Sequence, residues 1–136
     1  MTNPRYEPRS FCKFPAHFGS FETVWIDVPP TDFVALDRRG AAQIQHVAAL
    51  RMRRAIVSSP HKTIEKYAAS IGADPSRLAR MLRGTIVMRL EDMVNAERNL
   101  PIRAWPGGRD ATEPPAPDTP QSRLAALMVE RDKRRA

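Results

Sequence analysis

The residues best suited to binding chemistry lie between Pro75 and Gly84, where arginines recur on one side of a predicted helix. Leu78, Met81 and Leu82 would form the apolar side of this helix, so its polar residues face away from the core. The outward set is Ser76, Arg77, Arg80 and Arg83. A guanidinium group can donate two parallel hydrogen bonds to a phosphate or to the edge of a guanine. This side of the helix is therefore suited to an anionic partner.

The rest of the sequence offers no set of residues for catalysis or metal binding. No pair of carboxylates, and no nucleophile with a base, occurs at a usable spacing, so an enzyme is not predicted. The glycines form no phosphate-binding loop, and no cofactor is predicted. Cys12 is the single cysteine, and together with His17, His46 and His61 it lacks the spacing of a zinc site. Cys12 is predicted to be a small apolar residue of the core.

Two short helices joined by a glycine turn are predicted around the arginines. The first has apolar residues at i, i+3, i+4 and i+7, namely Ile64, Tyr67, Ala68 and Ile71. Thr63 suits its N-cap, and Gly72 can close its C-terminus in the left-handed conformation. Asp74 and Pro75 then suit the cap and the first position of the second helix, which Gly84 ends.

The positive charge of the chain is concentrated in its helical middle. Residues 1 to 36 carry a net charge of −1, residues 37 to 103 carry +7, and residues 104 to 136 carry +1. An excess of positive charge confined to one predicted domain suits a surface that binds a polyanion, because each phosphate that the protein neutralises releases counterions. Arginine outnumbers lysine by 18 to 4. This ratio suits bidentate contacts to phosphate or guanine, or it reflects GC-rich coding.

The region from about residue 40 to residue 100 resembles the Cro/Xre-like family, the phage-repressor class of helix-turn-helix proteins. The residues that carry the resemblance are Tyr67-Ala68, Gly72-Ala73-Asp74, Leu78-Ala79, Gly84 and Arg89-Leu90-Glu91-Asp92-Met93. It implies a mainly α fold, a helix-turn-helix bundle of four to five helices, in which Ala68 and Ala79 allow two helices to cross closely. It also implies that the helix 75–83 lies in the major groove of DNA. Ile64 and Leu82 stand where the family often has Gln and Glu, so the contacts of those two residues are not implied.

The predicted DNA contacts fall into two groups. Ser76, Arg77 and Arg80 lie near the start of the second helix and are predicted to reach base edges, with the two arginines on guanines. The predicted phosphate contacts are Lys62, Lys66, Arg83 and Thr85. Arg51, Arg53 and Arg54 spread around the end of an earlier helix, where they either touch phosphates or form a solvated surface.

Composition divides the chain into four predicted segments: an aromatic N-terminal arm (1–36), the DNA-binding domain (37–100), a Pro-rich linker (101–120) and a basic C-terminal helix (121–136). In the arm, residues 21–28 are rich in β-forming types and predict a short strand. From Thr31 the pattern is helical, and after Gly40 apolar residues at helical spacing form one face of the predicted first helix of the domain, which runs to about Val57.

A symmetric homodimer on a palindromic operator is predicted, because one such helix reads only a few base pairs. Phe21 and Trp25 in the arm are the favoured interface residues, since aromatic side chains often fill the centre of interfaces. The alternative interface is the apolar stripe of the C-terminal helix, formed by Leu124, Leu127 and Met128. The arm could equally pack on its own domain.

The sequence thus predicts a sequence-specific regulator of transcription that binds double-stranded DNA, with repression as the expected outcome. The alternative is an antitoxin-like or other protein-interaction module, in which the arm covers a partner protein. No apolar stretch is long enough to span a membrane, and the N-terminus lacks the apolar run of a signal peptide. A cytoplasmic, nucleoid-associated location is therefore predicted.

Overall fold

The computed structural model describes residues 6 to 105, and this part of the chain is mainly helical. Its four α-helices are α1 (Phe33–Ser58), α2 (Ile64–Ile71), α3 (Pro75–Arg83) and α4 (Leu90–Asn99), preceded by two short 3-10 turns at Pro8–Phe11 and Pro15–His17. None of the helices in residues 6 to 105 combines the length and apolarity needed to cross a bilayer. The predicted C-terminal helix, with Leu124, Leu127 and Met128, lies outside the described residues, as does most of the predicted linker.

Helix α1 begins two residues after Thr31, where the sequence pattern turns helical. The Asp32 carboxylate caps its N-terminus by accepting a hydrogen bond from the Ala35 backbone N–H at 3.1 Å. Gly40 lies inside this helix, and the apolar residues predicted after that glycine belong to it as well. A glycine within a helix costs only about 1 kcal/mol relative to alanine, so it does not outweigh the Asp32 cap. The predicted boundary at residue 37 consequently falls within α1.

The predicted caps of α2 and α3 are confirmed. Thr63 Oγ1 accepts from the Lys66 N–H at 3.3 Å, and Asp74 Oδ1 accepts from the Ser76 N–H at 3.0 Å. Both helices end at a glycine in the left-handed conformation, Gly72 with φ 69° and Gly84 with φ 76°. At each end the two following N–H groups bond back to carbonyls of the last turn, which is the Schellman arrangement. Only three residues, 72–74, therefore connect the two helices.

The N-terminal arm forms an isolated β-bridge where a strand was predicted. Trp25 pairs antiparallel with Cys12, and residues 6 to 105 contain no β-strand. Two flanking hydrogen bonds complete the pairing, from Lys13 N–H to the Val24 carbonyl at 2.8 Å and from Ile26 N–H to the Phe11 carbonyl at 2.9 Å. The pairing stops there because the chain on either side of Cys12 coils into 3-10 turns, so no extended partner remains.

The arm packs on its own helices, close to the end of α3. Phe18 is only 2% exposed, and its ring lies so close to Gly84 that a Cβ at that glycine would come within 2.6 Å of it. Of the two aromatic residues predicted for a dimer interface, Trp25 is half-buried and packs edge-on against the rings of Phe18 and His46. Phe21 is 65% exposed. Of the positions considered for the arm, the structure therefore shows the one in which the arm packs on its own domain.

A single apolar core joins the arm, all four helices and the residues that follow α4. Tyr67, Phe18, Ile56 and Leu82 are its largest fully buried apolar residues. The three methionines Met81, Met88 and Met93 are buried in it, as is Cys12. Ile102 and Ala104 are also buried, although they lie in the predicted linker. Arg51 holds this segment by donating from Nη1 to the Arg103 carbonyl at 2.8 Å, so residues 101 to 105 belong to the folded unit.

Gln45 is a buried polar residue of α1 whose side-chain amide is bonded to the backbone at three points. Its Nε2 group donates to the carbonyls of Met81 and Ile86, both at 2.9 Å. Its Oε1 atom accepts from the Met88 N–H at 2.8 Å. These three groups belong to the end of α3 and to the loop that follows it. A buried amide with every bond satisfied fixes both segments in one position.

His46, the next residue of α1, holds the arm through its ring. Its Nδ1 atom accepts a hydrogen bond from the Gly19 N–H at 2.9 Å, so the neutral ring carries its proton on Nε2. The ring is also packed against Phe18 and Trp25. Burial among these residues lowers the pKa of His46 from 6.5 to about 4. A charged ring would lose the Gly19 hydrogen bond and place a cation in an apolar site.

We predict that acid destabilises the fold through His46. Between the folded pKa of about 4 and the unfolded value of 6.5, the unfolded state binds more protons, so stability falls as the pH falls through this window. Urea unfolding at pH 7 and pH 5 should show a loss of about 2 kcal/mol from this residue. His46→Gln should remove most of that difference while lowering stability at pH 7. The same change at His17 is the matched control and should leave the difference in place, because it leaves the His46 pocket intact.

We also predict that Gln45→Met lowers the free energy of unfolding by roughly 2 to 4 kcal/mol, because one N–H and two carbonyl groups lose their buried partner. Gln43→Met makes the same change on the same helix. Gln43 is half-buried and its side chain has no hydrogen bond within residues 6 to 105, so the loss there should stay below about 1 kcal/mol. Equal losses in the two variants, measured by urea unfolding, would contradict the role given to Gln45.

Candidate nucleic-acid interface

Helix α3 has the two-sided character that its sequence predicted. Leu78, Met81 and Leu82 are buried against α1 and α2, while Ser76, Arg80 and Arg83 are exposed. The Asp74 cap fixes the start of the helix, and the Gly84 turn with the Gln45 amide fixes its end. Both ends of α3 are therefore fixed without the side chains of Ser76, Arg80 and Arg83.

Arg77 differs from its neighbours because its guanidinium is already paired. Its Nη1 and Nη2 atoms donate to Oδ1 and Oδ2 of Asp92, both at 2.9 Å, which is a bidentate ion pair between α3 and α4. Burial alone would raise the pKa of Asp92, but the hydrogen bonds from Arg77 and from the Arg89 N–H outweigh it and lower this pKa. The pairing also raises the pKa of Arg77. A contact from Arg77 to a base would require this pair to open.

Arg80 is the arginine of α3 best placed to reach a partner. Its Nε atom lies 3.4 Å from the Ser76 carbonyl, a weak contact within the helix, and its terminal nitrogens have no hydrogen bond within residues 6 to 105. The Arg80 carbonyl accepts from both the N–H and the hydroxyl of Thr85, at 3.0 and 3.1 Å. Thr85 therefore holds the end of α3, and its hydroxyl must rotate before it can donate to a phosphate.

Arg53 also belongs to this surface. The sequence alone did not distinguish its role from those of Arg51 and Arg54. Arg51 is buried and bonded to the backbone of residue 103, and Arg54 is exposed. Arg53 is half-buried, and its Nε atom is buried without a hydrogen-bond partner among the described residues. Burial, and then the positive charge of Arg83, lower the pKa of Arg53. The charge of Arg83 is therefore near enough to repel that of Arg53, and neither guanidinium makes an ion pair within residues 6 to 105, an arrangement that an anion would stabilise.

The two lysines predicted to contact phosphates lie at the start of α2. Lys62 and Lys66 are both exposed. Lys62 has a backbone φ of 63°, the left-handed conformation, in the residue before the Thr63 cap. The structure leaves both side chains open to solvent, and neither makes an ion pair within residues 6 to 105. No group of three His, Cys, Asp or Glu side chains converges there in a way that could hold a metal ion.

A comparison of the chain with protein families, with curated proteins and with solved structures found no match. A function for this chain is therefore inferred from the arrangement of its side chains. Helix α3 is capped at both ends and has arginines on its outer side. An ion pair with Asp92 removes Arg77 from that side. Arg53 and Arg83 repel each other and have no counterion within residues 6 to 105.

Proposed function

We propose that this protein is a sequence-specific regulator of transcription that binds double-stranded DNA through α3. In this proposal α2 and α3 form a helix-turn-helix of the Cro/Xre-like class, and α3 lies in the major groove. The support is local: both helices have the caps and glycine ends that the resemblance implies, and α3 turns its polar side away from the core. Repression is the expected outcome, because a protein that occupies a promoter blocks it without further contacts.

The observation that carries the proposal is the group of arginines without acidic partners, Arg53, Arg80 and Arg83. Within residues 6 to 105 none of them makes an ion pair, although the same region contains acidic residues. Asp92 is the carboxylate that pairs with α3 within residues 6 to 105. It binds Arg77, so Arg80 and Arg83 have no acidic partner there. A surface that keeps half-buried and exposed guanidinium groups uncompensated is suited to a polyanion.

The arginines and their neighbours take separate roles in this proposal. Ser76 and Arg80, near the start of α3, would contact base edges. Arg83 and Arg53 would share one phosphate of the backbone, and Lys62, Lys66 and Thr85 would contact others. Arg77 would act as a positioning residue, since its pair with Asp92 joins α3 to α4 and fixes how far α3 protrudes.

A second function, binding of a protein partner, is favoured by one observation on the arm. Phe14 and Phe21 are largely exposed, and the ring of His17 lies between them, 5.3 Å from the first and 5.6 Å from the second. Exposed aromatic rings in contact with one another are typical of protein interfaces. This is the antitoxin-like alternative, and it is compatible with DNA binding because it uses the arm and not α3.

Selection of bound fragments from a random pool of double-stranded DNA is the experiment that tests the proposed function. An enriched sequence, bound with a steep dependence on salt, is the expected result. Recovery of no enriched sequence, with binding too weak to measure at low salt, would contradict the proposal and leave the protein-binding function as the better candidate.

We predict that Arg80→Ala weakens binding to the selected sequence by roughly 10- to 100-fold, because one bidentate base contact contributes about 1 to 3 kcal/mol of discrimination. Binding to random DNA should change little. Arg54→Ala is the control, since Arg54 is exposed on α1 and has no assigned base contact. Equal losses on selected and random DNA in Arg80→Ala would reassign Arg80 to the phosphate backbone. Fluorescence anisotropy with both DNAs measures the two affinities.

We predict that Arg53→Met lowers the slope of log affinity against log salt by about 0.9, the contribution of one phosphate contact. The free protein should be as stable as before or more stable, because the change removes a half-buried cation beside Arg83. Arg54→Met, at the next position, should leave the slope almost unchanged. A slope in Arg53→Met equal to that of the unchanged protein would show that Arg53 does not contact DNA.

A further inference from the structure

Helix α4 carries apolar residues on two sides, and only one of them is used by the core. Met93 and Ala96 are buried, whereas Leu90 and Val94 are each 64% exposed. The two exposed residues are one turn apart and line a shallow groove of about 390 Å³ together with Glu91, Asn95 and Arg98. We call this set the α4 face. Leucine and valine side chains in such a groove favour contact with another surface.

The charges of the α4 face have no partners within the chain that the structure describes. Glu91 and Arg98 are both exposed, and neither makes an ion pair or a side-chain hydrogen bond within residues 6 to 105. They are seven residues apart, or about 10 Å along a helix that rises 1.5 Å per residue. They are two turns apart, beyond the i, i+3 and i, i+4 spacings at which side chains pair on one helix.

We propose that the α4 face binds the α4 face of a second copy of this protein, with the two helices antiparallel about a two-fold axis. The axis would pass between Val94 and Asn95. Glu91 and Arg98 lie at equal distances on either side of that point, about 5 Å along the helix. Antiparallel pairing therefore brings Glu91 of each copy level with Arg98 of the other, and the two ion pairs form reciprocally.

The uncharged residues of the α4 face also match their own copies in this arrangement. Val94 lies beside the axis and meets Val94 of the second copy. The Asn95 Oδ1 atom accepts from Asn99 Nδ2 at 3.3 Å on its own helix. The Nδ2 group of Asn95 and the second lone pair of Oδ1 remain, so the amide can pair with the same amide across a two-fold axis. Leu90 lies at the end of the face, where the aliphatic stem of Arg98 from the second copy can cover it. The face is thus complementary to itself in both charge and polarity.

The α4 face is a better candidate for self-association than the aromatic arm. Trp25 is already packed against rings of its own chain, and Phe21 brings no complementary charge with it. A contact between two ten-residue helices buries less than the roughly 1,200 Å² of a standard interface, so the free dimer is expected to be weak. This inference rests on the proposed function in one respect: a two-fold DNA site would hold two copies together and strengthen the contact.

Sedimentation equilibrium of the full-length protein without DNA tests the proposal. The unchanged protein should associate reversibly to a dimer between about 10 and 500 µM, the range expected for a small interface. Glu91→Arg and Arg98→Glu should each weaken the dimer by about 10-fold or more, because each places like charges together at two points. The double variant Glu91→Arg/Arg98→Glu should restore the original dimer constant to within about 3-fold, since both ion pairs form again in reverse.

Matched controls are Glu65→Arg on α2 and Arg54→Glu on α1, which make the same charge changes at exposed positions outside the α4 face. Both should leave the dimer constant unchanged. A monomer at all concentrations would overturn the proposal, and so would a dimer that the two single changes do not weaken, or one that the double variant does not restore. Because no DNA is present, these results are independent of whether the protein binds DNA.

A cysteine at the two-fold axis gives a second test that does not depend on charge. Val94→Cys should form an intermolecular disulfide rapidly on mild oxidation, since the two thiols would meet at the axis. Glu65→Cys is the control and should cross-link slowly, while the native Cys12 is buried. Cross-linking of both variants at the same rate would indicate random collision and would contradict the two-fold contact.

Discussion

The side-chain amide of Gln45 is the interaction on which the position of α3 most depends. One residue in the middle of α1 bonds two carbonyls and one N–H that belong to the last turn of α3 and the following loop. In the proposed function α3 presents Ser76, Arg80 and Arg83 to DNA, so these side chains are not available to fix the helix in place. The Gln45 amide, the Asp74 cap and the Phe18 ring against Gly84 fix it from its ends and from its inner side. The Arg77–Asp92 ion pair adds a contact to α4, and none of these interactions uses the side chains of Ser76, Arg80 and Arg83.

The ends of α2 and α3 could be predicted from sequence because they depend on local chemistry. Thr63 and Asp74 accept hydrogen bonds from residues two or three positions away, and the Gly72 and Gly84 turns need only their own backbone conformation. The predicted strand failed for the opposite reason. Residues 21 to 28 have the composition of a strand, but whether a strand forms depends on the partner, and the residues near Cys12 coil away after one bridge. Composition contains no information on that partner.

The arginine-bearing surface shows the same limit on what can be predicted from sequence. Net charge treats them alike, yet the structure divides them by tertiary contacts between residues distant in sequence. Arg77 is paired with Asp92, 15 residues later, and Arg51 with the backbone of residue 103, more than 50 residues later. The positive charge of Arg83 lowers the pKa of Arg53 although the two residues are on different helices. A helical projection can show which arginines point outward, but it cannot show which of them meet a carboxylate, so the sequence could predict the surface and not its individual members.

The contact between the arm and the end of α3 also has a consequence for how the chain folds. Arg9 N–H bonds the Gly84 carbonyl at 3.0 Å, so residues 75 positions apart must meet. Helical proteins generally fold fast because their contacts are local, and contacts of large sequence separation slow folding. On the ribosome, the arm emerges before the helices, and its Phe18 has no site to enter until Gly84 has been synthesised. During that interval the arm lacks the core on which it packs, and a chaperone that binds apolar segments would meet the arm before it meets the folded helices.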